Sequence, residues 1–469
     1  MNRLLCTTLM LAAVGCSFSP KTQAPKIKVP DNFKESQGWK VGQPADHLAR
    51  GNWWFIFHDP DLDAIMQSLE VSNQSLQSSV AKAEQTASLL IAAKFAFLPS
   101  ASSSADYTVN KSGALGGGGS ANSLNASKAG SGIKNIQSVS GQIPTWEIDV
   151  WGRLRHSAKA VKANVEATRA DVETMRLSLQ SQAAQSYFTL RAADAQRLLI
   201  ERQVASYAKS LELTQNRKAQ GVASEADVAL AATQLATTRA ALIDVGVNRA
   251  IMEHAIAVLT GRSPAEFGLK PTTLATHIPK VPATAPSTLL QRRPDIAAAE
   301  RRVAAANENI GAAIAAFFPV ISLSGSNGYR GLLDLFNRAN NYWSFGPDVT
   351  LNILDGGQRL AAKAQADASW RQAVSDYRQV VLTAMQDSED ALSTLRILAA
   401  ESVAQDQAVH AARESERITI NQYQAGTLNY INVTTAQAAA LTAERSAIDI
   451  RSRRLVATVA LVKALGGGW

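Results

Sequence analysis

Apolar residues recur at helical spacing through two long stretches of the chain. From about Arg153 to Ala219 they are Val161, Val165, Val172, Leu179, Tyr187 and Leu190. From about Leu360 to Ala425 they are Val374, Tyr377, Val381, Met385, Leu392 and Leu395. No proline interrupts either stretch, so the period predicts helices over 153–219 and 360–425, each roughly 100 Å long at about 1.5 Å per residue. Helices of that length pack as coiled coils rather than inside a compact domain. Gly221 and Gly426 stand just past their ends, where a left-handed residue closes a helix most cheaply. A shorter helix is expected to return from each turn, over 225–259 and 430–465.

A second period, of two, appears elsewhere. Trp146, Ile148 and Val150 alternate with Glu147 and Asp149; Phe345, Val349, Leu351 and Ile353 alternate with Ser344, Asp348, Thr350 and Asn352. These predict strands over 138–151 and 343–354, with Ser-rich, patchier partners over 98–110 and 320–329. One apolar and one polar face suits a barrel wall between lipid and water, although two soluble hairpins would alternate in the same way. The Gly/Ser/Asn-rich segment Lys111–Lys134 and its shorter counterpart Gly331–Asn341 are expected as loops. Four strands cannot close a barrel, since the smallest have about eight. An open edge in lipid leaves backbone groups without partners, so strands that span a membrane must be pooled between copies of the chain.

The two halves share one plan. A shift of 205 residues (426 − 221) superposes Gly221 on Gly426, Thr145 on Thr350, Ile148 on Ile353, Gly152 on Gly357 and Gly261 on Gly466. It also superposes Thr189-Leu190-Arg191 on Thr394-Leu395-Arg396 and Ile243-Asp244 on Ile448-Asp449. Upstream, Phe97-Leu98-Pro99 echoes Phe317-Phe318-Pro319 in a different register. The expected organisation is a first repeat over 53–270, a Pro/Thr/Ala-rich linker over 271–294 and a second repeat over 295–469. Each repeat reads as helix, strand, strand, long helix, turn, helix.

Composition narrows the class. The 469 residues are 46% hydrophobic and only 6% aromatic, with a net charge of +8 spread without a basic block. That favours solvated helix faces over nucleic-acid binding. The two cysteines, Cys6 and Cys16, both lie at the N-terminus, so no disulfide or Cys-based metal site is expected in the body. Arg3 followed by the apolar run Leu4–Val14 reads as a signal peptide over 1–15. Ala13-Val14-Gly15-Cys16 resembles a lipoprotein box, which would make Cys16 the lipidated first residue of a tether over 16–52. An ordinary cleaved signal with an incidental cysteine is the alternative. The six histidines show no metal-ligand spacing, and there is no nucleophile elbow or phosphate-binding loop. No enzyme activity, cofactor or metal is expected.

Several motifs then carry a resemblance. They are Trp53-Trp54-Phe55 with Asp59-Pro60; Trp146-Glu147-Ile148-Asp149-Val150-Trp151-Gly152-Arg153; Leu289-Leu290-Gln291-Arg292-Arg293-Pro294-Asp295-Ile296; Phe317-Phe318-Pro319; and the Tyr423…Gly426 turn. Together they resemble the outer-membrane efflux proteins, TolC-like, in the lipoprotein branch that serves RND-type drug pumps. The resemblance implies a mainly α protein with a membrane β-barrel portion: a homotrimer whose strands form a twelve-stranded barrel continued by a twelve-helix periplasmic tunnel. It implies partners in a periplasmic adaptor, an inner-membrane RND-type pump and outer-membrane lipid, and passive conduction of drugs or other small molecules. An exit duct for type I protein secretion has the same architecture. A soluble periplasmic coiled-coil scaffold is the more distant reading.

The resemblance also implies a site. The two turns would form the periplasmic mouth, with Gly221, Val222, Ala223, Ser224, Gly426, Thr427 and Leu428 touching the adaptor. Tight turns without a partner are the plainer reading, because glycine C-caps are common. Asp227 and Tyr423 match positions where a hydrogen bond tethers neighbouring helices and closes the mouth. Asp227 would equally serve as an early-helix acid favoured by the dipole. Leu428 stands where some members carry an arginine, and Asn432 and Thr435 where members commonly carry acids. Cation selectivity is therefore not carried over. Ile431 is expected to add an apolar constriction beside them.

Overall fold

The computed structural model describes residue 34 and residues 51–111, 133–275, 277–279, 281, 292–331 and 334–467. The signal peptide, Cys16, nearly all of the tether and most of the Lys111–Lys134 loop lie outside them. The elements are α1 (Pro60–Ser72), α2 (Gln74–Phe95), β1 (Ser102–Lys111), β2 (Ile133–Glu147), α3 (Arg153–Ala219), α4 (Glu225–Leu259), α5 (Pro294–Ala315), β3 (Val320–Gly331), β4 (Asn341–Thr350), α6 (Gln358–Gln424) and α7 (Tyr430–Ala464). Two compact units divide them. One holds the described residues of Gln85–Val165 and Arg301–Val374; the other holds those of Pro25–Glu84, Glu166–Glu300 and Ser375–Trp469.

The duplication is visible in element lengths. α3 and α6 are each 67 residues long, α4 and α7 each 35, and α2 and α5 each 22. Gly221 and Gly426 take φ of 79° and 81°. Each turn is closed by the same pair of bonds: Gly221 N–H to Lys218 O and Val222 N–H to Arg217 O, then Gly426 N–H to Tyr423 O and Thr427 N–H to Gln422 O. This is the Schellman closure that satisfies the last carbonyls of a helix.

In the first unit, β1-β2-β3-β4 form one antiparallel sheet in chain order. The β2–β3 pairing joins the two repeats. The register sorts the side chains onto two faces. One face carries Ala105, Tyr107, Val109, Val139, Ile143, Trp146, Ile321, Leu323, Tyr329, Trp343, Phe345 and Val349, together with a few small and polar residues. The other is mostly polar, with Ser102, Ser104, Asp106, Ser138, Ser140, Gln142, Ser322, Ser324, Ser326, Ser344 and Asp348 beside Ile136, Val320 and Tyr342. Serine pairs meet across strands there, Ser104–Ser140 at 3.1 Å and Ser326–Ser344 at 2.7 Å. A bulge between Ile143 and Trp146 re-phases β2 at Pro144, which has no N–H to give the ladder.

The strands depart from the alternation at their ends. β2 stops at Glu147 and β4 at Thr350, not at 151 and 354, so Ile148, Val150, Leu351 and Ile353 lie outside the strands. Carboxylates have taken the chain toward the next helix. Asp149 accepts the backbone N–H groups of Leu154 and Arg155 at 3.1 and 2.9 Å, and Asp355 those of Gly357 and Arg359 at 3.0 and 3.1 Å. β1 starts at Ser102 rather than 98 because the closing turn of α2 runs on, with Leu98 N–H on Phe95 O. β2 begins at Ile133 rather than 138, and β3 extends to Gly331. The two aromatic-Pro motifs sit at the helix-to-strand joins. Trp146 donates its indole N–H to Phe97 O at 3.0 Å; Trp151 donates to Pro319 O at 2.8 Å and stacks on Phe318.

In the second unit, Trp53, Trp54 and Phe57 pack with Leu62, Met66, Leu69, Phe188, Leu392 and Leu461 in one core. Polar anchors fix its rim. Asp59 caps α1 and accepts the Tyr187 hydroxyl at 2.7 Å. Arg191 pairs with Asp61 and with the buried Asp194, which also binds Arg249. Arg293, beside Pro294 at the start of α5, pairs with Asp295 and Asp387 and donates to Ala464 O at 3.3 Å. Lys34 donates its backbone N–H to Glu389 at 2.7 Å. Among the described residues, no helix is long and apolar enough to cross a membrane, which says nothing about the sheet.

Candidate functional site

The residues singled out at the mouth all belong to the second unit and gather at the turns α3–α4 and α6–α7. At the first turn, Ser224 N-caps α4, and its hydroxyl accepts the Asp227 N–H at 3.1 Å. Asp227 Oδ2 reaches back to accept the Ser224 N–H at 2.9 Å and its hydroxyl at 2.8 Å. This capping box satisfies orphan donors at both residues. Lys218 and Glu225 form an ion pair across the same turn. Val222 is 62% exposed, so the tip presents an apolar side chain to solvent.

At the second turn, Asn429 has the same extended backbone, φ −80° and ψ 155°, yet its side chain makes no cap bond to α7. Tyr423 is buried and packs edge-on against Tyr430, ring centroids 5.4 Å apart, with Ala231 and Val433 around them. Its hydroxyl donates to Thr214 Oγ1 at 3.4 Å. Within one chain, therefore, the structure does not join Asp227 to Tyr423: each is engaged elsewhere. Ile431, Asn432 and Thr435 are exposed, and Thr435 returns its hydroxyl to Ile431 O. Gly426 and Thr427 are exposed and Leu428 half-buried.

A polar seam lies behind these turns. Gln203, Tyr207, Ser210, Thr214 and Arg217 follow one another on α3 at the four-three spacing of a coiled-coil seam, where apolar residues ordinarily stand. Opposite them are the buried Gln437, 3.4 Å from Ser210, and the buried Tyr430. Burial, reinforced by Tyr423 and Tyr207, pushes the Tyr430 hydroxyl up to about 12. Farther from the turns, burial first and Glu444 second raise the Glu416 carboxyl, while Arg413 pairs with Glu444. Arg217 crosses from α3 to the end of α6 and donates to Tyr423 O at 2.9 Å and Gln424 O at 3.2 Å. Sequence reasoning missed this seam. Its signal was the repeated polar residue at seam positions.

Among the described residues, no group of three His, Cys, Asp or Glu side chains is placed to hold a metal ion. The chain matches the family model described as outer membrane efflux protein over residues 65–262 and 285–467. It is 31% identical to the antibiotic efflux pump outer membrane protein ArpC of Pseudomonas putida over 466 residues, covering 97% of this chain and 93% of that one. It is 28% identical to the cation efflux system protein CusC of Escherichia coli O6:H1, covering 100% and 99%. Among solved structures it is similar to the outer-membrane channel OprN, with a TM-score of 0.87 at 26% identity, covering 97% of this chain and 100% of that one.

Proposed function

This chain belongs to the outer membrane efflux protein family, and we propose that it is the outer-membrane channel subunit of a tripartite system, passively conducting small molecules to the exterior. The observation that carries this reading is the two-faced sheet. Trp343, Phe345, Val349 and Tyr107 are 74%, 69%, 64% and 62% exposed in the single chain, on a face whose reverse is lined by serines. Lipid on one side and water on the other is the environment that suits both. Among the described residues, β1 and β4 each have one edge without a strand, and an edge in lipid must be paired. Three copies would supply twelve strands and close the wall. Ile243, Val247, Ile251 and Val258 form an exposed apolar row on α4, which suits packing against a helix of another copy.

The remaining assignments follow from this one. Cys16 carries lipid and ties the chain to the outer membrane. The turns at Gly221–Ser224 and Gly426–Leu428 meet a periplasmic adaptor, which links the duct to an inner-membrane pump. Asp227 and Tyr423, with Ile431, Asn432 and Thr435, form the mouth's gate, and the Asp227–Tyr423 tether runs between protomers. The names of two relatives, one an antibiotic and one a cation efflux protein, support a duct whose cargo is set elsewhere in the system.

The test is conductance of the purified, detergent-solubilised protein in a planar bilayer. Discrete channels from a trimer are expected. A protein that gives none and stays dispersed without detergent would be a soluble scaffold instead.

A further inference from the structure

Arg217 belongs to the first hairpin and spends its side chain on the second. It lies in the last turn of α3, yet Nη1 donates to the carbonyls of Tyr423 and Gln424 at 2.9 and 3.2 Å. Those carbonyls are in the final turn of α6, where the helix dipole leaves negative charge; that of Tyr423 also accepts the Gly426 N–H of the turn. The flat guanidinium also lies over the Tyr423 ring, Cζ 4.7 Å from its centroid. Charge-assisted bonds and a stacked face together make this a strong contact for one side chain.

Its geometry decides where Tyr423 points. The ring has Arg217 over one face and meets the Tyr430 ring edge-on, centroids 5.4 Å apart, and the hydroxyl is turned toward Thr214 of α3. The contact is not reciprocated, because the residue 205 positions on (217 + 205 = 422) is Gln422. The neighbouring cation, Lys218, is used across its own turn on Glu225. Two adjacent basic residues thus divide the work, one for each hairpin.

We propose that Arg217 is the positioning residue of the gate: a latch within each chain that holds the end of α6 and Tyr423 against the first hairpin and so sets the resting width of the mouth. The inference rests on the duct reading above.

The experiment compares wild type, Arg217→Ala and Arg217→Lys as full-length, detergent-solubilised protein. Single-channel recording is combined with hydrogen exchange of the amides over 420–430. Arg217→Ala is expected to raise conductance or open probability several-fold and to speed those amides about tenfold, the scale of losing a charge-assisted contact. Arg217→Lys keeps the charge but not the fork or the flat face and is expected to recover part of both effects, which a merely structural defect would not show. If the alanine variant does not assemble, Arg217→Gln is read in its place with the same two outcomes. Wild-type channels left unaltered by these variants, with unchanged exchange, overturn the latch alone. A wild-type protein that forms no channel overturns the duct and the latch together.

Discussion

The two hairpin turns share a backbone and differ in what holds them. Gly221 and Gly426 adopt the same left-handed φ, 79° and 81°, and close their helices with equivalent bonds. Ser224 and Asn429, 205 residues apart, have nearly the same dihedrals, −87°/161° and −80°/155°. The first turn then looks after itself, with a capping box and an ion pair of its own. The second has neither: Asn429 and Asn432 stand where Ser224 and Asp227 stand in the first. It borrows Arg217 from the first hairpin. One backbone plan thus yields a self-contained turn and a dependent one, and a few side chains make the difference. A dependent turn is the one that can be released without unfolding its helices.

The largest effect that sharpens this contrast is conformational. Gly221→Ala and Gly426→Ala each put a side chain into the left-handed region, at about 1–2 kcal/mol. A Cβ at Gly221 meets nothing within 4 Å, and one at Gly426 meets only Arg217 Nη2 at 3.7 Å. Equal losses in thermal or denaturant stability of the two variants are expected. A much greater loss at Gly426 would mean that the arginine is crowded rather than latched. Next comes Asp227→Ala, which removes half of the capping box and costs about 1 kcal/mol. Exchange should quicken in the first turn of α4, and conductance should rise if the same carboxylate tethers a neighbouring protomer. Unchanged conductance with quickened exchange would leave Asp227 a cap and nothing more. Smaller still is a transplant. Asn429→Ser with Asn432→Asp copies the first turn's box into the second and should add about 0.5–1 kcal/mol. Slower exchange at the start of α7 and fewer openings in bilayer recordings would show that dependence had been reduced.

Much of this architecture is legible in the residues. The long helices could be read because their apolar period runs without a proline and ends at glycine, and because a second copy repeats it. The strand ends could not. Ile148 and Val150 continue the alternation, but Asp149 between them caps α3, and capping competes with the ladder for the same stretch of chain. At the first turn, Ser224-Glu225-Ala226-Asp227 displays a capping-box spacing in plain view. The sequence reading offered Asp227 as a tether or as an early-helix acid and did not read the box, in which the side chain takes the local donors first. Arg217 was illegible for a different reason. Its partner lies 206 residues away, and nothing in local spacing says which helix end a basic residue will cap.

The stems differ as well as the tips, and the smallest predicted effect lies there. Glu416 and Glu444 of the second stem correspond, by the 205-residue shift, to Leu211 and Arg239 of the first. Burial, and then the charge of Glu444, raise the Glu416 carboxyl above its usual 4.5; Gln203 and Arg413 offset part of that. The folded state therefore holds this proton more tightly than the unfolded chain does. Its stabilising contribution is complete below about pH 4.5, the unfolded value, and is lost as pH rises through the raised folded value. Near neutrality the second stem carries a desolvated negative charge that the first stem lacks. Mild acidification should stabilise the second hairpin selectively, slowing exchange over the adjoining turns of α6 and α7 more than over α3 and α4. Glu416→Gln should abolish that dependence and leave the stem fixed in its acid-like state. Identical pH responses of the two hairpins in wild type would remove the stem from the comparison and leave the contrast to the turns.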